Sequence, residues 1–177
     1  SQKKWEGEFM KDMEMLRIQP PDVILRVTEH INSICDYIQV LIEKDVAYPI
    51  SGPKGGIFFD VASLGKAYGK LGVTSQDSSF NSNENDSKRN RADFALWKTA
   101  KENEPHWDSP FGKGRPGWHI ECSAMTHSHF GDSLNIHTGG IDLLFPHHTN
   151  EIAQCDAFSG RFECCGMKSE EQWCDIW

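Results

Sequence analysis

The chain has 177 residues, of which 38% are hydrophobic and 25% are charged, so it is long enough to bury one sizeable core. Its net charge of −8 argues against a protein that binds nucleic acid non-specifically, although it leaves room for RNA held by a local patch. The sequence contains no apolar run of about 18 residues and no apolar secretory core near its N-terminus. We therefore expect no membrane span, no DNA partner and a cytoplasmic location, with an organellar location left open.

The first third of the chain is predicted to begin with two helices. Residues 5–18 carry apolar side chains at helical spacing, and two prolines directly afterwards end this helix. Because no cap precedes it, we interpret it as the end of a helix from a longer chain. A second helix is predicted over residues 22–44, since its apolar residues fall on one side. Within it, Cys35 is expected in the core and His30 at the surface.

Short strands and a polar segment are predicted next. Residues 46–50 and 57–61 favour two strands, joined by the turn-rich link SGPKGG. Residues 74–91 are polar and poor in apolar residues, which is typical of a mobile surface loop or an insertion. The basic end of that segment and two nearby lysines form a positive cluster, which is either solvated surface or a contact for an RNA backbone. Its members are Lys88, Arg89, Arg91, Lys98 and Lys101.

The stretch 112–154 carries most of the recognisable chemistry and holds six of the chain's eight histidines. We predict a helix at 118–129, a strand at 133–137 and a further helix from Pro146 to about Ala157. The strand runs into Gly139 and Gly140, and the carboxylate of Asp142 follows. A strand that ends in glycines before a carboxylate fits a nucleotide crevice in an open α/β sheet, so these three residues are predicted to bind ATP.

A metal site is predicted from three residues of the same stretch. His147 and Glu151 are four residues apart, so on a helix they point the same way, and Cys122 on a second segment adds a thiolate. Imidazole, carboxylate and thiolate are ligands that Zn²⁺ prefers. The spacing alone leaves open a buried thiol beside an ordinary helical pair, and His148 and His119 remain competing ligands.

The six cysteines show no spacing typical of a disulfide framework. With histidines concentrated around Cys122, we expect reduced thiols and a metal rather than bridges. Cys164 and Cys165 are interpreted as ordinary thiols, because adjacent residues rarely chelate one ion together. The cysteines are Cys35, Cys122, Cys155, Cys164, Cys165 and Cys174.

The segments GRPGWHIECSAM and IHTGGIDLLFPHHTNEIAQ resemble those of cysteinyl-tRNA synthetases, which are class I aminoacyl-tRNA synthetases. The resemblance implies a Rossmann-like α/β catalytic domain with an α+β connective insertion. It also implies ATP-dependent activation of cysteine, with Mg²⁺ accompanying ATP, and transfer to tRNA(Cys). In this family two cysteines, a histidine and a glutamate hold zinc, and three of them carry over onto Cys122, His147 and Glu151.

The resemblance also assigns a cysteine pocket and a division into domains. Trp118 and His137 would line the pocket with His119 close by, and Gly140 and Asp142 would lie at the adenosine. Residues 1–19 would end the first half of the nucleotide-binding fold, residues 20–105 would form the connective insertion, and residues 106–177 would form the second half.

The 177 residues do not include the HIGH and KMSKS signatures of the family or the second zinc-binding cysteine that precedes HIGH. No catalytic residue is therefore assignable, and the fragment alone is expected to be inactive. Two other functions stay open. One is a stand-alone zinc-binding structural or interaction module, and the other is a related ligase that joins cysteine to an amino sugar.

Overall fold

A computed structural model describes residues 2–72, 87–161 and 173–177. Its helices and strands follow one another along the chain as α1 (Gln2–Met15), α2 (Ile31–Glu43), β1 (Ala47–Ile50), β2 (Gly56–Phe59), β3 (Phe94–Thr99), β4 (Gly114–Pro116), α3 (Trp118–Phe130), β5 (Leu134–Ile136), α4 (Thr149–Ser159) and β6 (Cys174–Ile176). Short helical turns lie at Val27–Glu29, Val61–Ala67, Ile141–Leu143 and Leu144–His148. The predicted α/β class is confirmed. Within the described ranges, no helix is both long and apolar enough to cross a bilayer.

The helix predicted over residues 22–44 is shorter than expected. Its apolar face is confirmed, and Cys35 is buried in it as predicted. Its start was predicted wrongly, because α2 begins at Ile31 and a separate short turn precedes it. Val23 and Ile24 continue the helical spacing but are 47% and 41% exposed. Since both side chains are only partly buried, core packing does not enforce a helix there.

The first four strands form one antiparallel sheet in the order β1-β2-β3-β4. The predicted hairpin is confirmed as β1 and β2, with Ala47 opposite Phe59. Strands β3 and β4 were not predicted. Strand β3 is hydrogen-bonded on both edges, and Leu96 and Trp97, adjacent in sequence, are both fully buried. A strand covered on both faces loses the simple alternation of apolar and polar residues that reveals a strand in sequence.

Helices α2, α3 and α4 pack against one another and against this sheet around one core. The core joins apolar residues from before and after position 105, including Ile34, Ile38, Leu41, Phe59, Leu96, Ile120, Ala124 and Ala153. The chain passes from β4 into α3 through Gly117, where an added Cβ would lie 1.9 Å from the carbonyl oxygen of Ala95. Glycine is therefore required there, and α3 starts directly against the sheet. The predicted division at residue 105 stays a prediction.

A second, two-stranded sheet lies behind α4. Strand β5, predicted at 133–137, is confirmed, and it pairs in parallel with β6, with Leu134 opposite Cys174. Ile152 of α4 packs with Trp173 and Cys174 beneath this pair. The larger part of the segment predicted as a mobile loop (74–91) lies outside the described residues, as do Cys164 and Cys165.

Candidate metal and substrate site

The three residues predicted to bind zinc come together where α3 meets the start of α4. One ligand atom each from Cys122, His147 and Glu151 lie within 4.8 Å of one another. His147 belongs to the short turn Leu144–His148, which runs directly into α4, so the predicted four-residue spacing keeps both side chains on one face. His147 and Glu151 are buried, whereas Cys122 is half-buried.

The donors of this group fit a zinc ion. Sulfur, imidazole nitrogen and carboxylate oxygen are the usual ligands of tetrahedral Zn²⁺. Oε1 of Glu151 is buried and has no hydrogen-bond partner among the described residues, so a cation would satisfy it. The group has three members within the described ranges, which leaves a fourth position of a tetrahedral ion for another ligand.

The protonation of the group is set by its surroundings. Burial, followed by the negative charges of Glu151 and Glu121, raises the pKa of the Cys122 thiol to about 12. Burial also lowers the pKa of His147, so its ring is neutral and can offer a lone pair. A bound cation favours the thiolate, so metal binding at Cys122 would release a proton.

Glu151 is also held by two further histidines. Nδ1 of His148 lies 2.8 Å from Oε2 of Glu151, and Nε2 of His137 lies 3.3 Å from the same oxygen. Burial favours a raised pKa for Glu151, but the hydrogen bonds from the rings of His137 and His148 outweigh it and lower the pKa. Glu151 is therefore an ionised carboxylate at neutral pH. His137, His148 and Glu151 form a second group whose ligand atoms lie within 4.8 Å of one another.

Trp118 and His119, predicted to lie at the cysteine pocket, both contact His147. The indole of Trp118 stacks on the His147 ring with 4.2 Å between centroids, and Trp118 is 48% exposed. Nδ1 of His119 lies 3.0 Å from Nδ1 of His147. Burial, and then the neighbouring His147, lower the pKa of His119 to about 3, so this ring is neutral. One face of His147 is thereby fixed, while Trp118 stays accessible to a ligand.

The residues predicted to bind ATP lie after β5. Gly139, Gly140 and Asp142 are exposed, at the carboxyl end of a parallel strand where nucleotides bind in open α/β sheets. Gly139 also contacts the metal region, because a Cβ added there would lie 2.2 Å from Nε2 of His148. No sequence pattern indicated this contact, and the ATP role of the three residues stays a prediction.

The sequence model of the family "tRNA synthetases class I (C) catalytic domain" matches residues 1–165. The chain belongs to this family. The synthetase chain is 53% identical over 154 residues to a probable mitochondrial cysteine–tRNA ligase of Xenopus tropicalis. The aligned region covers 87% of this chain and 26% of that protein. It is 50% identical over 156 residues to a cysteine–tRNA ligase of Methanococcus maripaludis, covering 86% and 32%. A cytoplasmic cysteine–tRNA ligase of Dictyostelium discoideum is 45% identical over 170 residues, covering 89% and 25%.

The synthetase chain therefore spans between a quarter and a third of the length of these curated relatives. Its match to a class I catalytic domain agrees with the Rossmann-like α/β fold expected from the sequence. Because the relatives include forms named mitochondrial and cytoplasmic, the compartment of this chain stays open.

The synthetase chain also has a cavity of about 750 Å³ in front of β2 and β3, which Trp118 and His119 border. Two acidic residues, Asp93 and Glu104, line it. The cationic lining residues outnumber these two acidic residues. The cations are Lys54, Lys88, Arg91, Lys98, Lys101 and Arg115. Four of the five residues of the predicted positive cluster are among them. The fifth, Arg89, instead pairs with Asp60 at 3.0 Å.

Two cations of this cavity were missed by sequence reasoning. Lys54 lies in the turn between β1 and β2, and Arg115 lies in β4, so both are far in sequence from the predicted cluster. The antiparallel pairing of β2, β3 and β4 brings them together, and no local pattern could have indicated it.

Proposed function

We propose that this chain is part of a cysteine–tRNA ligase, in which Cys122, His147 and Glu151 hold a zinc ion that binds the thiolate of the substrate cysteine. The observation that carries the proposal is the convergence of these three donors within 4.8 Å. The names of the similar proteins, together with the membership in a class I synthetase family, support the same reaction. The reaction would consume cysteine, ATP with Mg²⁺ and tRNA(Cys).

A metal can select cysteine over serine, although the two amino acids differ only in one side-chain atom, which is sulfur in cysteine and oxygen in serine. An apolar pocket distinguishes such small differences by only about 1–3 kcal/mol. Zinc favours a soft thiolate over an alcohol and lowers the proton affinity of the thiol that it binds. In the parent enzyme the second cysteine, from the segment before HIGH, would complete the protein ligands, and the substrate sulfur would bind the ion as a further ligand.

The protein side of the site would orient this substrate. Trp118 packs flat against His147, which fixes the ring plane of one proposed ligand. His119 is neutral, so it adds no positive charge beside the site and can exchange a hydrogen bond with His147. With His137, these side chains would form the pocket for the amino acid. Gly139, Gly140 and Asp142 would contact the adenosine of ATP.

Zinc binding and selection are tested together by Co²⁺ substitution, because Co²⁺ takes the same ligands and reports thiolate coordination through its absorption. We expect a thiolate band that Cys122→Ser weakens, and a further change on addition of cysteine but not of serine. A wild-type spectrum that ignores cysteine would instead indicate a closed structural zinc module, which needs four protein ligands. Binding without any thiolate contribution would refute the proposed ligand set.

Catalysis is tested by ATP–pyrophosphate exchange in a longer protein that contains this chain together with the HIGH and KMSKS segments. We expect exchange that depends on cysteine and zinc and is not supported by serine. The 177 residues alone are expected to give none, since the family uses those segments for positioning and charge neutralisation. Exchange that ignored the amino acid would contradict the proposal.

The cationic cavity beside Trp118 is proposed as a contact for the phosphate backbone of tRNA. Several lysines and arginines around one cleft compensate locally for a chain whose net charge is −8. We expect Lys98→Ala and Lys101→Ala to weaken binding of tRNA(Cys) and to reduce its dependence on salt. Lys11→Ala is a matched control, because Lys11 lies on α1 and pairs with Glu8. Equal effects of all three variants would refute a specific contact.

A further inference from the structure

His148 is a buried histidine to which the proposed reaction gives no role. It follows His147 directly, and its ring lies beside Glu151 rather than at the surface. Nδ1 is 2.8 Å from Oε2 of Glu151. A carboxylate only accepts hydrogen bonds, so Nδ1 must carry the proton and donate it. The other ring nitrogen, Nε2, is buried without a hydrogen-bond partner among the described residues.

We propose that His148 is a positioning residue of the metal centre, which holds Oε2 of Glu151 so that Oε1 is left for the ion, and that Gly139 is the residue that makes room for the His148 ring. This inference rests on the proposed zinc function. It gives Gly139 a role separate from ATP, and it makes the loop after β5 a support for the metal centre.

The geometry around Glu151 supports a positioning role. Both His148 and His137 approach the same oxygen, Oε2, whereas Oε1 has no hydrogen-bond partner in the described part of the chain. His148 gives the shorter contact and is the more deeply buried of the two. Groups that hydrogen-bond a metal ligand fix its orientation, and removing them typically lowers metal affinity about 10–100-fold.

The alternative is that His148 is itself a ligand, in the second group with His137 and Glu151. Its Nδ1 is already within hydrogen-bond distance of the carboxylate, and Nε2 faces the backbone at Gly139. A metal at Nε2 would have to occupy the space beside this glycine. The neighbouring His147 has Nε2 3.5 Å from Oε2 of Glu151 and is the histidine grouped with Cys122.

A substitution at Gly139 offers a second way to perturb the ring of His148 without changing His148 itself. A Cβ at this position would lie 2.2 Å from Nε2 and 2.3 Å from Cε1, which is far inside contact distance. The backbone of Gly139 does not have the positive φ that favours glycine, so the ring is what excludes a side chain. We therefore expect Gly139→Ala to displace the ring and to lengthen or break its hydrogen bond to Glu151.

The test measures the zinc dissociation constant by chelator competition, which needs no catalytic activity. We expect His148→Leu to weaken zinc binding about 10–100-fold. His148→Asn should stay within several-fold of the wild type, because its side-chain amide can donate from the place of Nδ1. Gly139→Ala should weaken binding about tenfold. Gly140→Ala is the matched control for zinc affinity, since its Cβ would meet only the far end of the exposed Asp142 side chain, at 2.4 Å from Oδ1, and would not contact His148.

Co²⁺ spectra and zinc-free unfolding curves of the same variants separate the outcomes. Equal losses in His148→Leu and His148→Asn, with altered ligand-field bands, would make His148 a ligand and overturn the inference. Unchanged affinity in His148→Leu or in Gly139→Ala would also overturn it. If His148→Leu does not fold, the zinc affinities of His148→Asn and Gly139→Ala still test the inference, because only Gly139→Ala should bind zinc clearly more weakly than the wild type. Wild-type binding that ignores Cys122→Ser would instead refute the proposed zinc site itself.

Discussion

Lys70→Met is expected to destabilise the fold by leaving a buried carboxylate without its ion partner. Asp156 of α4 is fully buried, and Nζ of Lys70 lies 2.6 Å from its Oδ2. Apart from this ion pair, neither carboxylate oxygen has a hydrogen-bond partner among the described residues. Breaking a fully buried pair costs about 3–5 kcal/mol, and an exposed pair contributes about 1 kcal/mol or less.

The Lys70 side chain is 34% exposed, so the loss should lie between these limits. We expect about 2–3 kcal/mol, which for a domain of this size is a fall in Tm of about 5–10 °C. Thermal and urea unfolding followed by circular dichroism measure it. Asp156→Asn removes the buried charge, so the double variant should recover most of the stability lost in Lys70→Met.

The same pair predicts a dependence on pH. Burial raises the pKa of Asp156 above its usual range, although the charge of Lys70 opposes this. Because the folded pKa lies above the unfolded one, the buried charge disfavours folding at neutral pH, and this penalty is relieved as pH falls through the folded pKa. The deficit of Lys70→Met should therefore shrink in acid. A deficit below about 0.5 kcal/mol, or one that Asp156→Asn does not rescue, would refute the reasoning.

Two further substitutions test the sheet. Tyr48→Phe should lower the free energy of unfolding in urea by about 2 kcal/mol, because it removes a hydrogen bond to a charged group. The hydroxyl of Tyr48 donates to Oδ2 of Asp93, 2.6 Å away. Burial and this hydrogen bond raise the pKa of Tyr48 to about 12, so the hydroxyl keeps its proton at neutral pH. A loss below about 0.5 kcal/mol would contradict this. Gly117→Ala should lower stability by about 3 kcal/mol or more, since its Cβ would lie 1.9 Å from the carbonyl oxygen of Ala95. Gly7→Ala is the control, because Gly7 lies in α1 and a Cβ there would meet nothing within 4 Å. It should be neutral or stabilise the protein by up to about 1 kcal/mol. Thermal unfolding that gave the two glycine variants the same stability would contradict both expectations.

Elements with strong local patterns could be predicted from the sequence. The hairpin of β1 and β2 followed from two apolar runs around a glycine-rich turn, and α3 and β5 were found within a residue or two of their bounds. The buried face of α2 followed from its apolar periodicity, which reflects the packing of Ile34, Ile38 and Leu41 in the core. In each case, local spacing and tertiary packing favour the same structure.

Elements that depend on distant partners could not be predicted. Strand β4 has three residues, and it exists because Lys98 and Thr99 of β3 pair with it. The residues before Ile31 have helical spacing, yet they form only the short turn Val27–Glu29, since Val23 and Ile24 stay 47% and 41% exposed. Periodicity describes what a segment can bury, whereas its neighbours decide whether it does so.

The candidate site was predictable in its ligand types but not in its surroundings. Cys122, His147 and Glu151 were singled out from residue type, helical spacing and resemblance, and the structure brings them together. The hydrogen bond from His148 to Glu151 and the contact with Gly139 depend on how the loop after β5 folds back onto α4. Such contacts leave no periodic trace in a single sequence.

The pairing of β3 with β4 bears on how pieces of this protein could be exchanged with those of relatives. Transplanting residues 20–105 alone would part Trp97 from its strand partner Pro116 and would leave Gly117 facing a foreign carbonyl. Helix α3, which bears Trp118 and Cys122, would then begin at a contact between β3 and β4 whose two sides come from different proteins. A chimera that carries residues 114–117 along with the donor segment should keep its thiol aimed at its histidine and glutamate, whereas one spliced at 105 should not.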